Sequence, residues 1–254
     1  MYAAIRAASL PTIHATAGPD MTTDTGTGQG MGDRRYTSKD DMQQKTQKAK
    51  KTGPAGKHRI RNICVYCGSN VGKNPAYAAA ANALGQSMAK DGIGLVYGGG
   101  GLGLMGELAR TVLASGGRVT GIIPQFLSKK ERMLREAHEM IVVEDMHQRK
   151  KLMFDKSDAF VALPGGIGTL EELVEQLTWA QLGRHTKPVV LVNVEGFWEP
   201  LLDLLGHMRN QEFIRQTMEV RYTTVARAED VVDAVRAHAD TAHPQGDAAV
   251  TERL

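Results

Sequence analysis

The sequence predicts an α/β fold: a doubly wound, Rossmann-like, mostly parallel sheet with helices on both faces. Two observations predict it. From Ile60 onward, short β-branched runs alternate with segments whose apolar residues recur at i, i+3 and i+4. The runs are almost continuously apolar, as strands covered by helices on both sides are, whereas strands with one wet face alternate.

In chain order, the first strand is expected at 63–66, where Ile63 and Val65 flank Cys64. An Ala-rich helix follows at Pro75–Lys90, then a strand at Gly94–Tyr97 and a helix over 104–115. Val119, Ile122 and Ile123 mark a strand at 119–123, and Ile141, Val142 and Val143 another at 140–143. A helix over 146–157 leads to a strand at 159–163 and then to a helix over 170–182 with the apolar stripe Leu170, Leu173, Val174, Leu177. Val189, Val190, Leu191 and Val192 form the core of a strand at 189–193, followed by a helix over 198–209, a weaker strand at Thr223–Val225 and a helix over 229–238. No repeat of 20 to 50 residues interrupts this order.

At 254 residues and 42% apolar content the chain can bury one sizeable core. The expectation is a disordered basic tail over 1–58, one Rossmann-like domain over 59–240, and a flexible tail over 241–254. The first segment lacks any sustained period, and 19–33 is mostly Thr, Gly and Asp. Met21 and Met31 would each serve as an alternative start. The net charge of +3 is uneven: 34–61 carries ten Lys/Arg against Asp40 and Asp41, a net of +8 that leaves −5 elsewhere. Without interleaved aromatics that basic run reads as a solvated tail, so no nucleic-acid partner is expected. No run approaches the ~18 apolar residues of a membrane span, and the start lacks the layout of a secretory signal. A cytoplasmic protein with no membrane partner is therefore predicted. Cys64 and Cys67 match a C-x-x-C pattern, but their odd spacing along a strand sends the side chains to opposite faces, and no second pair completes a zinc site. They read as inert core residues.

Ligands of such sheets bind beyond the carboxyl ends of the strands. Three turns there are conspicuous: Cys-Gly-Ser-Asn at 67–70, Gly-Gly-Gly-Gly-Leu-Gly-Leu-Met-Gly at 98–106, and Pro-Gly-Gly-Ile-Gly-Thr at 164–169. All three should share one edge. A glycine-rich turn that opens a helix offers unpaired N–H groups and the positive end of a dipole to phosphate, although the same glycines could serve only tight turns and close packing. Residues 101–106 match the dinucleotide fingerprint, but 120–124 supplies no acid for a ribose, which disfavours NAD, and neither turn ends as a Walker loop does.

Two side chains raise a question of role. With Thr169 as N-cap of a helix starting at Leu170, Glu172 would sit at N3 of a capping box and off the apolar stripe, beside the phosphate turn. It is either a cap or a carboxylate facing a sugar. Arg149 follows a helix start that Asp145 could cap, and shares its sector with Met146, Leu152 and Met153, so it should face the protein. Arg is rarely buried unless paired. Either a structural carboxylate meets it, or its guanidinium enters the site.

The run 164–172, Pro-Gly-Gly-Ile-Gly-Thr-Leu-Glu-Glu, with Met-His-Gln-Arg-Lys at 146–150, resembles the Lonely Guy (LOG) family of cytokinin riboside 5′-monophosphate phosphoribohydrolases, often mislabelled lysine decarboxylases. The signature PGGxGTxxE is complete, and the resemblance extends over roughly 60–225, through Cys-Gly-Ser at 67–69, Tyr-Gly-Gly-Gly at 97–100, Gly-Leu-Met-Gly at 103–106 and Thr-Trp-Ala-Gln-Leu-Gly at 178–183. It implies that Arg149 and Glu172 are the essential pair. Phosphate and ribose contacts would fall on Gly165, Gly166, Ile167, Gly168, Thr169, Lys150 and Thr178, with Gly68, Ser69, Gly99, Gly100 and Gly103 lining the same pocket. The implied reaction is hydrolysis of the N-glycosidic bond of a cytokinin riboside 5′-monophosphate, and of AMP, to free base and ribose 5-phosphate. It implies no metal and no cofactor, and a homodimer or larger assembly. Residues 128–139, near the base in the family, leave base preference open. The alternatives are a broader purine 5′-monophosphate nucleosidase and a non-catalytic nucleotide-binding module. Lysine decarboxylation is disfavoured, because no residue pattern suggests a pyridoxal phosphate site.

Overall fold

Seven parallel strands carry the apolar runs: β1 (Asn62–Tyr66), β2 (Gly94–Tyr97), β3 (Val119–Pro124), β4 (Glu139–Val143), β5 (Ala159–Ala162), β6 (Val189–Val192) and β7 (Thr223–Val225). The structure is a computed structural model that describes residues 60–128, 132–215 and 218–241. The tails expected over 1–58 and beyond Thr241 lie outside the described residues. Spatial order is β4-β3-β2-β1-β5-β6-β7. The chain lays β2, β3 and β4 on one side of β1, then crosses to lay β5, β6 and β7 on the other. Order therefore reverses between β1 and β5, and a crevice opens at their carboxyl ends.

The helices are α1 (Pro75–Lys90), α2 (Gly103–Ala114), α3 (Gln125–Ser128), α4 (Met146–Asp155), α5 (Ile167–Gln181), α6 (Glu199–Asn210) and α7 (Val231–Thr241). Alternation along β1 divides the core into two layers. Ile63 and Val65 pack with Leu84 of α1, Leu108 of α2 and Val235 of α7. Cys64 and Tyr66 face the other way, toward Met153 of α4 and Leu173 of α5, with Trp198 just before α6. Cys67 belongs to the first layer and Cys64 to the second, both as buried free thiols whose pKa burial pushes up, so the redox-pair reading has no geometric support.

Two local features depart from expectation. The single-turn helix α3 was not expected, because four residues carry no helical period. More consequentially, α5 starts three residues early, at Ile167, with extended Gly166 as N-cap and no side-chain cap. Its first intrahelical bond runs from Leu170 N–H to the Gly166 carbonyl at 3.0 Å. Thr169 is thus the third helical residue and not the cap, and Glu172 is the sixth, so the capping box does not form. The stripe differs too: Thr169, Glu172, Leu173, Gln176 and Leu177 are buried, while Val174 is 41% exposed. Glu172 lies on the inward face because another helix supplies the cation that makes burying a carboxylate tolerable.

Candidate active site

The three glycine-rich turns follow β1, β2 and β5, which are neighbours in the sheet. The turn after β1 is wedged between the other two. Gly68 N–H donates to the Pro164 carbonyl at 3.1 Å, and the Gly68 carbonyl accepts from Met105 N–H at 3.3 Å. Ser69 remains exposed at the mouth, whereas Gly68, Gly99 and Gly100 are buried.

The two longer turns do different work. In the one after β2, a Cβ at Gly101 would overlap the Arg132 carbonyl, and one at Gly106 the Gly101 carbonyl. Gly103, at φ +60°, rests against the backbone of Ser69. These glycines are explained by close packing alone. In the turn after β5, a Cβ added at Gly166 or Gly168 would meet nothing within 4 Å. The space beyond the start of α5 is open, and the N–H groups of Ile167, Gly168 and Thr169, which precede the first intrahelical bond, are available to it. The second turn is therefore the better phosphate nest.

Arg149 and Glu172 meet beneath this nest. Asp145 caps α4 as the sequence suggests, its Oδ1 accepting from Gln148 N–H at 2.8 Å. At the far end, Lys187 Nζ donates to the Phe154 carbonyl at 2.7 Å and sits 3.7 Å over the Phe154 ring. So held, α4 projects Arg149 inward, where Nη2 lies 3.2 Å from Glu172 Oε1, with the side chains only 8% and 10% exposed. Arg149 Nη1 reaches Met146 Sδ at 3.7 Å, and its buried Nε has no partner among the described residues. Desolvating two ions costs several kcal/mol each, and apolar side chains of similar volume would often be about 1–4 kcal/mol more stable. Stability alone does not account for burying such a pair.

Three further expected contact residues sit on or beside α5. Lys150 Nζ is held by Glu171 Oε1 at 2.6 Å and Glu175 Oε1 at 2.9 Å, a tie between α4 and α5. Thr178 is exposed and returns its hydroxyl to the Val174 carbonyl at 2.8 Å. Ile167 is 82% exposed at the tip of α5. Gly98, Met105 and Met146 surround the guanidinium: Met146 was expected in its sector and the other two lie in the expected turn at 98–106, but nothing in the sequence distinguishes Gly98 within its run of four glycines. A cleft of about 1100 Å³ at the opposite, amino-terminal edge, lined by Arg61, Asp91, Arg118 and Arg236 among others, contains none of the candidate residues. Among the described residues no three His, Cys, Asp or Glu side chains gather as a metal site.

Residues 105–235 match a family profile described as "Possible lysine decarboxylase". The chain is 50% identical over 161 residues to a probable cytokinin riboside 5′-monophosphate phosphoribohydrolase, LOGL1, of Oryza sativa subsp. japonica, covering 63% of this chain and 72% of that protein. It is 43% identical over 182 residues to the cytokinin riboside 5′-monophosphate phosphoribohydrolase LOG5 of Arabidopsis thaliana, covering 72% and 80%. The chain belongs to the Lonely Guy (LOG) family. The Rossmann-like fold agrees with a solved structure, the molybdenum cofactor binding protein of Rippkaea orientalis, which is similar with a TM-score of 0.53 at 23% identity over 71% of this chain and 98% of that one. At that identity the likeness concerns the fold alone. In this LOG chain the motif residues Gly165 to Glu172 and the helix bearing Arg149 converge on one crevice.

Proposed function

We propose that this protein is a phosphoribohydrolase that cleaves the N-glycosidic bond of cytokinin riboside 5′-monophosphates, and of AMP, releasing the free base and ribose 5-phosphate. The observation that carries this reading is the buried Arg149–Glu172 pair beside the open N-terminus of α5. The nest takes the 5′-phosphate, which brings the ribose over the pair. Glu172 deprotonates the attacking water and stabilises the oxocarbenium-like sugar as the C1′–N bond breaks and its electron pair leaves with the base. The base then takes up a proton. Arg149 orients Glu172 and the ribose phosphate through the fixed fork of donors on its guanidinium.

The same reading includes a homodimer in the cytoplasm. Ile167, Val174 and Leu182, 82%, 41% and 59% exposed, form an apolar stripe with Thr178 along α5 that suits a subunit contact. Among the described residues no helix is long and apolar enough to cross a membrane.

Because the nest is aimed at phosphate, AMP should be cleaved with a kcat/KM at least ~100-fold above that of adenosine, the scale of losing a well-placed ionic contact. Steady-state release of adenine from the two substrates checks this. Comparable values would remove the nest from the mechanism.

A further inference from the structure

We propose that Gly98 is a positioning residue for catalysis, in that its missing side chain is the slot into which the Arg149 guanidinium fits. The inference rests on the reading of Arg149 given above. Gly98 is the first residue after β2, next to β1 in the sheet, and so lies beside the crevice. A Cβ built there would overlap Arg149 Nη2, come within 3.4 Å of its Cζ and approach Met105 Sδ at 3.2 Å. The guanidinium is thus packed against the Gly98 backbone, with Met146 Sδ at 3.7 Å from Nη1 and Glu172 Oε1 at 3.2 Å from Nη2.

What sets Gly98 apart from its neighbours is that backbone conformation does not require a glycine there. Gly99 and Gly103 adopt φ of +79° and +60°, which L side chains rarely enter, but Gly98 is not among the positive-φ residues. Alanine at 98 is therefore conformationally acceptable, and the obstacle is the guanidinium itself. Met105 presents the flexible end of its side chain and can yield; Arg149 is fixed between its buried partners and the helix that carries it. A methyl group at 98 must push Nη2 aside and with it the contact to Glu172. Displacements near 1 Å in an oriented catalytic group can cost about 100-fold in rate.

The test is a double-mutant cycle of Gly98→Ala and Arg149→Ala in the full chain, read by thermal unfolding without ligand and by kcat/KM on AMP. In the Arg149 background, Gly98→Ala should lower Tm by several degrees and kcat/KM by ~10- to 100-fold. In the Arg149→Ala background it should change neither appreciably, because the space is vacant. Gly99→Ala is the control and should lower Tm equally in both backgrounds, since its φ and not Arg149 demands glycine. Equal losses from Gly98→Ala in both backgrounds would overturn the proposal, as would a wild-type kcat/KM in the single variant. The ligand-free Tm cycle remains decisive for the Gly98–Arg149 contact even if AMP proves not to be a substrate, so failure of the slot and failure of the proposed reaction are separable.

Discussion

Glu172→Gln should yield a folded protein whose kcat has fallen about 100-fold or more, the scale of losing a positioned acid–base group. The substitution keeps the shape of the side chain and an oxygen that can still accept from Arg149 Nη2, now 3.2 Å from Oε1. It removes the negative charge needed both to accept a proton from water and to stabilise a cationic sugar. A helix-capping role would predict something different, but Glu172 is the sixth residue of α5 and caps nothing. Stability should fall as well, because the buried Arg149 guanidinium loses its counter-charge, although the retained hydrogen bond limits the loss. Thermal unfolding together with steady-state kinetics on AMP separates the roles. A clear loss of Tm with near-normal kcat would make Glu172 a structural residue.

Arg149→Ala should be more damaging on both counts. It strips the buried Glu172 carboxylate of its guanidinium, and removing one partner of a buried pair typically costs about 3–5 kcal/mol. It also removes the group that orients Glu172 and the ribose phosphate, so kcat/KM on AMP should fall at least as far as in Glu172→Gln. Denaturant unfolding of wild type and variant measures the deficit, and equal stability of the two would mean that Glu172 does not depend on Arg149.

The order of strands and helices was legible because each β-branched run, such as 189–192, is short, apolar and followed by helical spacing, and this alternation admits few topologies. Convergence of the turns after β1, β2 and β5 followed from the same logic, since ligands of such sheets lie at one edge. The register of α5 was not legible. Its first turn is Ile-Gly-Thr behind a glycine cap, which carries no propensity or capping signal, so the polar Thr169 was the natural but incorrect start. The burial of Glu172 was likewise hidden. It depends on Arg149, which comes from a different helix, and a stripe drawn from apolar residues alone cannot include a carboxylate whose partner lies 23 positions away. Lys150 shows the same limit: its place in the motif suggested phosphate, but its ties to Glu171 and Glu175 on the adjoining face of α5 could not be read from the sequence.

The central claim is tested most directly by chromatographic analysis of the products formed when the full chain is incubated separately with AMP and with isopentenyladenosine monophosphate. The account predicts equimolar free base and ribose 5-phosphate from each nucleotide, with no nucleoside and no inorganic phosphate. Release of nucleoside and phosphate, or recovery of both nucleotides intact after prolonged incubation with folded protein, would contradict it.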